Sequence, residues 1–221
     1  MVLPRVLEPE VMDTEEEARD YDSMDHAAVN AAFCADLLAL EPDLSQTLDV
    51  GSGTALIPIE LCRRAPAARV VGIDLAASML DLGRHNVARA GLEGAISLEL
   101  VDAKALPHAD GAFSAVVSNS IVHHIPEPAA AMREMLRVLR PGGVLFVRDL
   151  HRPGTDAEVT ALVDQYAADA NAHQRALFDA SLRAALTLEE VRAIARDLGV
   201  PAEHAGMSSD RHWTLAYRRP S

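Results

Sequence analysis

The chain has 221 residues, 49% of them hydrophobic, and its 20 Lys and Arg face 33 Asp and Glu, which gives a net charge of −13. This composition excludes an intrinsically disordered chain, and the lack of a basic stripe argues against nucleic acid as a partner. No apolar run reaches the ~18 residues that a membrane-spanning helix needs, and the first residues lack the basic and apolar regions of a secretory signal. We therefore expect a cytoplasmic protein that binds neither nucleic acid nor membranes.

The acidic excess is concentrated at the amino terminus, where residues 1–26 hold nine acidic and two basic side chains. Thr14 and Glu17 have the spacing of a capping box, which predicts a short acidic helix, and a longer helix is predicted over 24–40. One interpretation of this region is a solvated helix face. The other is a lid that favours a cationic ligand and closes over it with Tyr21.

Strand-like and helix-like segments then alternate along the chain. Strands are predicted over 46–50, 69–73, 96–101, 113–118 and 143–150, and helices over 54–65, 77–90 and 128–139. This alternation is typical of βαβ units, in which helices cover both faces of a parallel sheet.

The pattern changes after residue 150. Residues 155–185 are predicted as one alanine-rich helix, and Thr187 and Glu190 have capping-box spacing before a helix that ends near residue 198. Two strand-like runs, 202–207 and 212–218, are joined by a short polar segment, which predicts an antiparallel hairpin.

These elements predict a single α/β domain over residues 1–221. Its sheet is expected to be Rossmann-like, seven-stranded and mostly parallel, with an antiparallel C-terminal hairpin and helices on both faces. Four parts are expected along the chain: an N-terminal helical lid at 1–45, a cofactor-binding core at 46–150, a helical insertion at 151–200 and a C-terminal β-hairpin at 201–221.

The strongest local signal is the stretch Leu48-Asp49-Val50-Gly51-Ser52-Gly53-Thr54-Ala55. An apolar strand runs into a glycine turn and a helix follows at once, so backbone and helix N-terminus can approach a ligand closely. Leu56 stands where the dinucleotide fingerprint needs its third glycine, which disfavours NAD. Asp49 is placed to face a ligand ammonium group, and Asp74, at the end of the next strand, to accept hydrogen bonds from a ribose.

At this point the sequence resembles the class I S-adenosylmethionine-dependent methyltransferases, in the style of their type-11 and type-25 small-molecule branch. Five motifs in chain order carry the resemblance over most of 48–150: residues 49–55, Val71-Gly72-Ile73-Asp74, residues 102–107, residues 115–125 and Arg137-Val138-Leu139-Arg140-Pro141-Gly142-Gly143. Ala55, His108 and Ser114 depart from the usual pattern of the branch, and none of them is expected to contact the sulfonium.

The resemblance implies that S-adenosylmethionine is the cofactor, and it also implies a role for each matching residue of the chain. Gly51 and Gly53 would admit the methionyl part of the cofactor, Asp49 would orient its amino group, and Asp74 would hold the ribose. The adenine amine would be bound by Asp102, with the Ala103 N–H nearby. Leu75, Met79 and Leu106 would cover the adenine ring, and Tyr21 would close the lid. Ser118 and Asn119 would end the fourth strand beside the sulfonium.

Groups that touch the substrate are expected where the fourth and fifth strands end, because open α/β sheets bind ligands at the carboxyl ends of their strands. The candidate catalytic residues are His123, Asp149 and His151. For His123 and the adjacent His124, two interpretations stay open. One of them is a general base, and the other is a structural role, since a His-His pair recurs in the family as part of the scaffold.

The function predicted from the sequence is methyl transfer from S-adenosylmethionine to a small molecule. One alternative is an enzyme that uses the same cofactor for cyclisation or aminobutyl transfer, and another is a non-catalytic module that binds the cofactor. Cys34 and Cys62 fall in apolar helical patterns, and the nine histidines form no metal motif, so no metal is predicted. The sequence does not indicate an oligomeric state.

Overall fold

The computed structural model describes residues 3–9, 13–23 and 27–221. Seven strands are present: β1 (Thr47–Val50), β2 (Val70–Asp74), β3 (Ile96–Leu100), β4 (Phe113–Asn119), β5 (Leu139–Leu150), β6 (Ala205–Met207) and β7 (His212–Arg218). The helices are α1 (Glu15–Ser23), α2 (Ala27–Leu38), α3 (Leu56–Arg64), α4 (Ala77–Ala90), α5 (Pro128–Val138), α6 (Asp156–Tyr166), α7 (Ala172–Ala184) and α8 (Leu188–Asp197). Two short 3-10 turns lie at Val122–His124 and Ala202–His204.

The strands form one sheet in the order β3-β2-β1-β4-β5-β7-β6. β1 pairs in parallel with both β2 and β4, and β2 pairs in parallel with β3. β6 and β7 pair antiparallel, with Ala205 opposite Leu215 and Met207 opposite Trp213. The predicted fold class is therefore confirmed, including the C-terminal hairpin. Among the described residues, no helix is both long and apolar enough to span a membrane.

Three predicted elements are corrected by the structure. The single helix expected over 155–185 is two helices, because Asn171 and Gln174 form a capping box that starts α7 anew. β5 begins at Leu139 rather than at residue 143, because Gly142 and Gly143 exchange backbone hydrogen bonds with Arg219. The strand expected from residue 202 begins at Ala205, after the second 3-10 turn.

The chain divides into two compact units. The larger unit comprises Val11–Asn119, Ala129–Val147 and Ala216–Ser221. Its core packs α2 and α3 onto the sheet, and the rings of Phe33 and Phe146 meet edge to face at 5.0 Å between centroids. Cys34 and Cys62 are free and buried in this core, as their apolar sequence context predicted.

The smaller unit comprises Met1–Glu10, Ser120–Pro128 and Arg148–Leu215. Its core includes buried side chains of α6 and α7, and Leu3 packs against them. Arg152 is 4% exposed and donates hydrogen bonds to the carbonyls of Leu3 and Ala185 and to the carboxylate of Glu190. The first residues described are thus held inside this unit by a buried guanidinium.

Candidate functional site

A glycine loop, residues 51–55, follows β1 in the larger unit. Gly51 has a φ of 77° and Gly53 a φ of 51°, which is the left-handed region that glycine adopts without steric cost. The N–H groups of Gly51 and Ser52 both donate to the carbonyl of Ile73. The loop is therefore fixed against the end of β2 before any ligand binds.

Asp49 lies at the carboxyl end of β1 and is 2% exposed. Its Oδ2 accepts a hydrogen bond from Ser52 Oγ at 2.7 Å. Burial raises the pKa of Asp49 to about 7, although the Ser52 hydrogen bond opposes the shift. A buried carboxylate with so few partners is well suited to bind a cationic group.

Asp74 ends β2 and joins two parts of the same site. Its Oδ2 accepts from the Gly53 N–H at 2.8 Å, and its Oδ1 accepts from the Ala76 N–H at 2.9 Å. Burial raises the pKa of Asp74 above its usual range, and these two N–H groups oppose that effect. The carboxylate therefore anchors the glycine loop to β2, in addition to the ribose contact expected from the sequence.

The loop is also supported by Asn86, which the sequence analysis did not single out, and by Gly72, which it named only as part of a motif. Asn86 on α4 donates its amide to the Thr54 carbonyl at 3.1 Å and to the Asp22 carboxylate at 2.8 Å. Gly72 on β2 leaves no room for a Cβ, because Ser52 occupies that space. Neither residue belongs to a charged or catalytic class, so composition alone does not reveal them.

The residues expected around the adenine differ in their exposure. Asp102 has a side chain 38% exposed and accepts from the Lys104 N–H at 2.8 Å, and Ala103 lies between them in a turn. Leu75 is 38% exposed, whereas Met79 is 7% exposed and clusters with Ala18 of α1. Leu75 is therefore the better placed of the two to cover a ring.

The structure leaves buried polar atoms unpartnered around the same loop. Thr54 Oγ1 and Asn119 Oδ1 are buried and have no hydrogen-bond partner among the described residues. No side chain caps the N-terminus of α3, which follows Ala55 at a φ of 64°. Ser118, by contrast, donates its hydroxyl to the Val50 carbonyl. Orphan acceptors and donors beside two carboxylates fit a polar ligand that carries an amino acid group and a ribose.

Tyr21 lies in α1, but its side chain is outside the described residues. The helix itself belongs to the larger unit, where Asp13, which precedes it, accepts a hydrogen bond from the Ser78 N–H of α4 at 2.9 Å. The proposed closure of the site by Tyr21 therefore stays a prediction.

In the smaller unit, His123 and Asp149 form a buried pair. His123 Nδ1 lies 2.5 Å from Asp149 Oδ1, and the His123 backbone N–H donates to Asp149 Oδ2 at 3.0 Å. Burial opposes charge on both groups, yet each stabilises the ionised form of the other. The pKa of His123 is raised and that of Asp149 is lowered, so the two form an ion pair.

Glu8 and His124 lie against the same pair. Glu8 Oε1 lies 3.6 Å from His123 Nε2 and 3.2 Å from His124 Nδ1. Burial lowers the pKa of His124 to about 3, so its ring is neutral near pH 7. We call Glu8, His123, His124 and Asp149 the histidine cluster. Glu8 was missed in the sequence because it lies in an apparently irregular terminal segment, far along the chain from its partners.

His151 follows β5, and among the described residues it makes no hydrogen bond or ion pair with the histidine cluster. Its backbone N–H donates to the Arg211 carbonyl at 2.8 Å, and its Nδ1 is buried without a hydrogen-bond partner among the described residues. The structure thus brings His123 and Asp149 into direct contact, whereas the His151 ring makes no hydrogen bond to either of them among the described residues.

The sequence profile described as "Methyltransferase domain" matches residues 48–147. This range contains the glycine loop, Asp49 and Asp74 with their hydrogen bonds. Residues 48–147 are a methyltransferase domain, as the five motifs predicted. The match supports the expectation from the sequence motifs that the cofactor is S-adenosylmethionine.

Two curated relatives are similar to this methyltransferase domain. Methyltransferase GfsG of Streptomyces halstedii is 38% identical over 122 residues, which are 55% of this chain and 44% of that protein. The demethylmenaquinone methyltransferase of Thermus thermophilus is 40% identical over 116 residues, which are 52% of each chain. The chain therefore spans about half the length of the curated relatives it matches.

The fold of this chain is also found in a solved structure of much lower sequence identity. The crystal structure of a SAM-dependent methyltransferase from Aquifex aeolicus aligns over 92% of this chain and 97% of its own, with a TM-score of 0.64 and 17% identity. At this identity the likeness establishes the fold alone.

The buried Asp49 predicts a pH-dependent affinity for the cofactor. With a pKa of about 7, the carboxyl is largely protonated at pH 6 and largely ionised at pH 8. An ammonium group binds the ionised form, so the affinity for S-adenosylhomocysteine should rise with pH, by up to about tenfold per pH unit below 7. Calorimetric titration at pH 6, 7 and 8 measures this slope. An Asp49→Asn variant should lose it, and an equal slope in both proteins would contradict the assignment.

Proposed function

We propose that the protein transfers the methyl group of S-adenosylmethionine to a ring carbon of a small quinol or phenol. The observation that carries the methyl-transfer part is the pair of buried carboxylates, Asp49 and Asp74, bonded to the glycine loop inside the matched methyltransferase domain. The acceptor class is supported by the relative named demethylmenaquinone methyltransferase, which is 40% identical over 116 residues.

The chemistry asks little of the protein beyond binding and alignment. The ring carbon ortho to a hydroxyl attacks the methyl group in line, and the sulfur keeps the electron pair of the bond that breaks. The ring carbon then loses its proton. S-adenosylhomocysteine and the methylated ring are the products. Since the sulfonium is already an activated leaving group, holding the two reactants near ~3 Å and excluding water supply most of the acceleration.

Asp49 and Asp74 hold the methionyl part and the ribose of the cofactor in this proposal. The amino group of the methionyl part would bind Asp49, and the ribose hydroxyls would bind Asp74. Because the glycine loop is already fixed to Ile73 and Asp74, little ordering of the backbone remains to be done on binding.

The test is a methyl-transfer assay with methyl-labelled cofactor and a panel of short-chain demethylated naphthoquinols, benzoquinols and simple phenols. We expect S-adenosylhomocysteine and label on a ring carbon with at least one panel member. Asp81→Ala is the matched control for alanine variants of Asp49 and Asp74. The Asp81 side chain is exposed and pairs with Arg84 on α4, so this variant should keep the activity. Release of methylthioadenosine would favour cyclisation or aminobutyl chemistry, and intact cofactor with every acceptor would favour a binding module.

A further inference from the structure

The histidine cluster brings three metal-ligand atoms together. Oε1 of Glu8, Nε2 of His123 and Nδ1 of His124 all lie within 4.8 Å of one another. Their side chains are 10%, 4% and 16% exposed, so the three groups are withdrawn from bulk solvent. Two imidazoles and one carboxylate are a ligand set that proteins use for zinc and for other first-row divalent metals.

The distances do not describe hydrogen bonds. The 3.6 Å from Glu8 Oε1 to His123 Nε2 is too long for one. The 3.2 Å from Glu8 Oε1 to His124 Nδ1 is short enough for a hydrogen bond. However, this nitrogen is buried and has no hydrogen-bond partner among the described residues, because the angle does not suit donation. Two atoms that bind one tetrahedral Zn²⁺ at about 2.0–2.2 Å lie roughly 3.3–3.6 Å apart, which is close to both observed values.

The surroundings orient the ligands as metal sites require. Asp149 binds Nδ1 of His123, so the other ring nitrogen, Nε2, is the one that faces Glu8. A carboxylate behind a histidine ligand is the usual way to fix its ring and raise its basicity. Ser181 donates its hydroxyl to the Glu8 carboxylate at 3.2 Å. Arg5 directs its guanidinium to the carbonyls of His123, Ile125 and Ala184 rather than to the ligand atoms.

We propose that Glu8, His123 and His124 bind one divalent first-row metal ion, with Zn²⁺ as the best match, and that Asp149 positions His123 for it. This goes beyond the methyl-transfer proposal and replaces the expectation from the sequence that no metal is bound. Three protein ligands leave one position of a tetrahedral ion open for water or for an oxygen of a small molecule. The site belongs to the smaller unit, whereas the residues assigned to the cofactor belong to the larger one.

Metal binding by the full chain tests the proposal without any assay of activity. After treatment with a chelator, the protein is titrated with Zn²⁺ in competition with a chromophoric chelator, and one ion per chain is expected. Co²⁺ in the same site should give the intense visible absorption of a tetrahedral ion. A wild-type protein with no stoichiometric site, or a Co²⁺ spectrum of an octahedral aquo ion, would overturn the proposal.

Variants then assign the ligands. Glu8→Gln and His124→Ala should weaken Zn²⁺ binding by at least about 100-fold, since even outer-shell groups contribute about 10- to 100-fold. His173→Ala, which removes an exposed histidine of α7 in the same unit, should bind as the wild type does. Circular dichroism checks that each variant is folded. Equal affinity in all three variants would show that the ion binds elsewhere and would overturn the assignment.

Discussion

Replacing Asp149 by alanine is expected to destabilise the protein by about 3–5 kcal/mol, because it leaves a buried, charged His123 without its partner. Asp149 is fully buried and accepts hydrogen bonds from the His123 and Leu150 N–H groups and from the His123 ring. Asp149→Asn keeps an acceptor for the backbone donors, so it should cost less than the alanine variant. Asp197→Ala, which changes an exposed aspartate at the end of α8, should stay within about 0.5 kcal/mol of the wild type.

Urea unfolding followed by tryptophan fluorescence measures this difference. Trp213 is the only tryptophan of the sequence and is buried in the smaller unit, so its emission reports on the unit that contains Asp149. A chelator in the buffer keeps metal binding from adding to the signal. An Asp149→Ala protein as stable as the Asp197→Ala control would show that the ion pair does not hold this unit together.

The ion pair of His123 and Asp149 sets the pH range over which Asp149→Ala is expected to lower the stability. The lowered pKa of Asp149 adds stability above the usual aspartate range, and this is lost as pH falls through the folded pKa. The raised pKa of His123 adds stability that is complete below the usual histidine value of about 6.5 and is lost as pH rises through the folded pKa. The difference between wild type and Asp149→Ala should therefore be largest near about pH 5–6 and smaller at pH 3 and pH 9.

Most of the larger unit is predictable from the sequence because its signals are local. The apolar strand before Gly51, the periodicity of 77–90 and the carboxylate at the end of β2 each lie within a few residues of the element they define. Parallel strands with helical crossovers then leave few possible topologies, and the structure shows which strand order is adopted.

The histidine cluster is not predictable in the same way. Glu8 lies in a segment without regular secondary structure, and only the folded chain brings it to His123 and His124. The sequence also indicates a mobile lid at the amino terminus, whereas Leu3 and Arg5 make hydrogen bonds inside the smaller unit. The lid should therefore be tested by an internal deletion that starts after Glu8, so that it removes α1 without removing these contacts.

Asp74→Ala is expected to weaken the binding of S-adenosylhomocysteine by about 10- to 100-fold. A charge-assisted hydrogen bond contributes about 1.5–3 kcal/mol, and the variant loses the expected bond to the ribose together with the bonds to the Gly53 and Ala76 N–H groups. Calorimetric titration at pH 8, where Asp49 is ionised, gives the affinity, and Asp81→Ala on the neighbouring helix serves as the control.

A cofactor analogue without ribose hydroxyls separates the two contributions of Asp74. If the carboxylate binds the ribose, the analogue should bind the wild type more weakly than S-adenosylhomocysteine does, and Asp74→Ala should bind the two ligands almost equally. If Asp74 only anchors the glycine loop, the variant should bind both ligands more weakly by the same factor, because the loop is expected to contact the methionyl part that they share. An Asp74→Ala protein with wild-type affinity for both ligands would remove the residue from the cofactor site altogether.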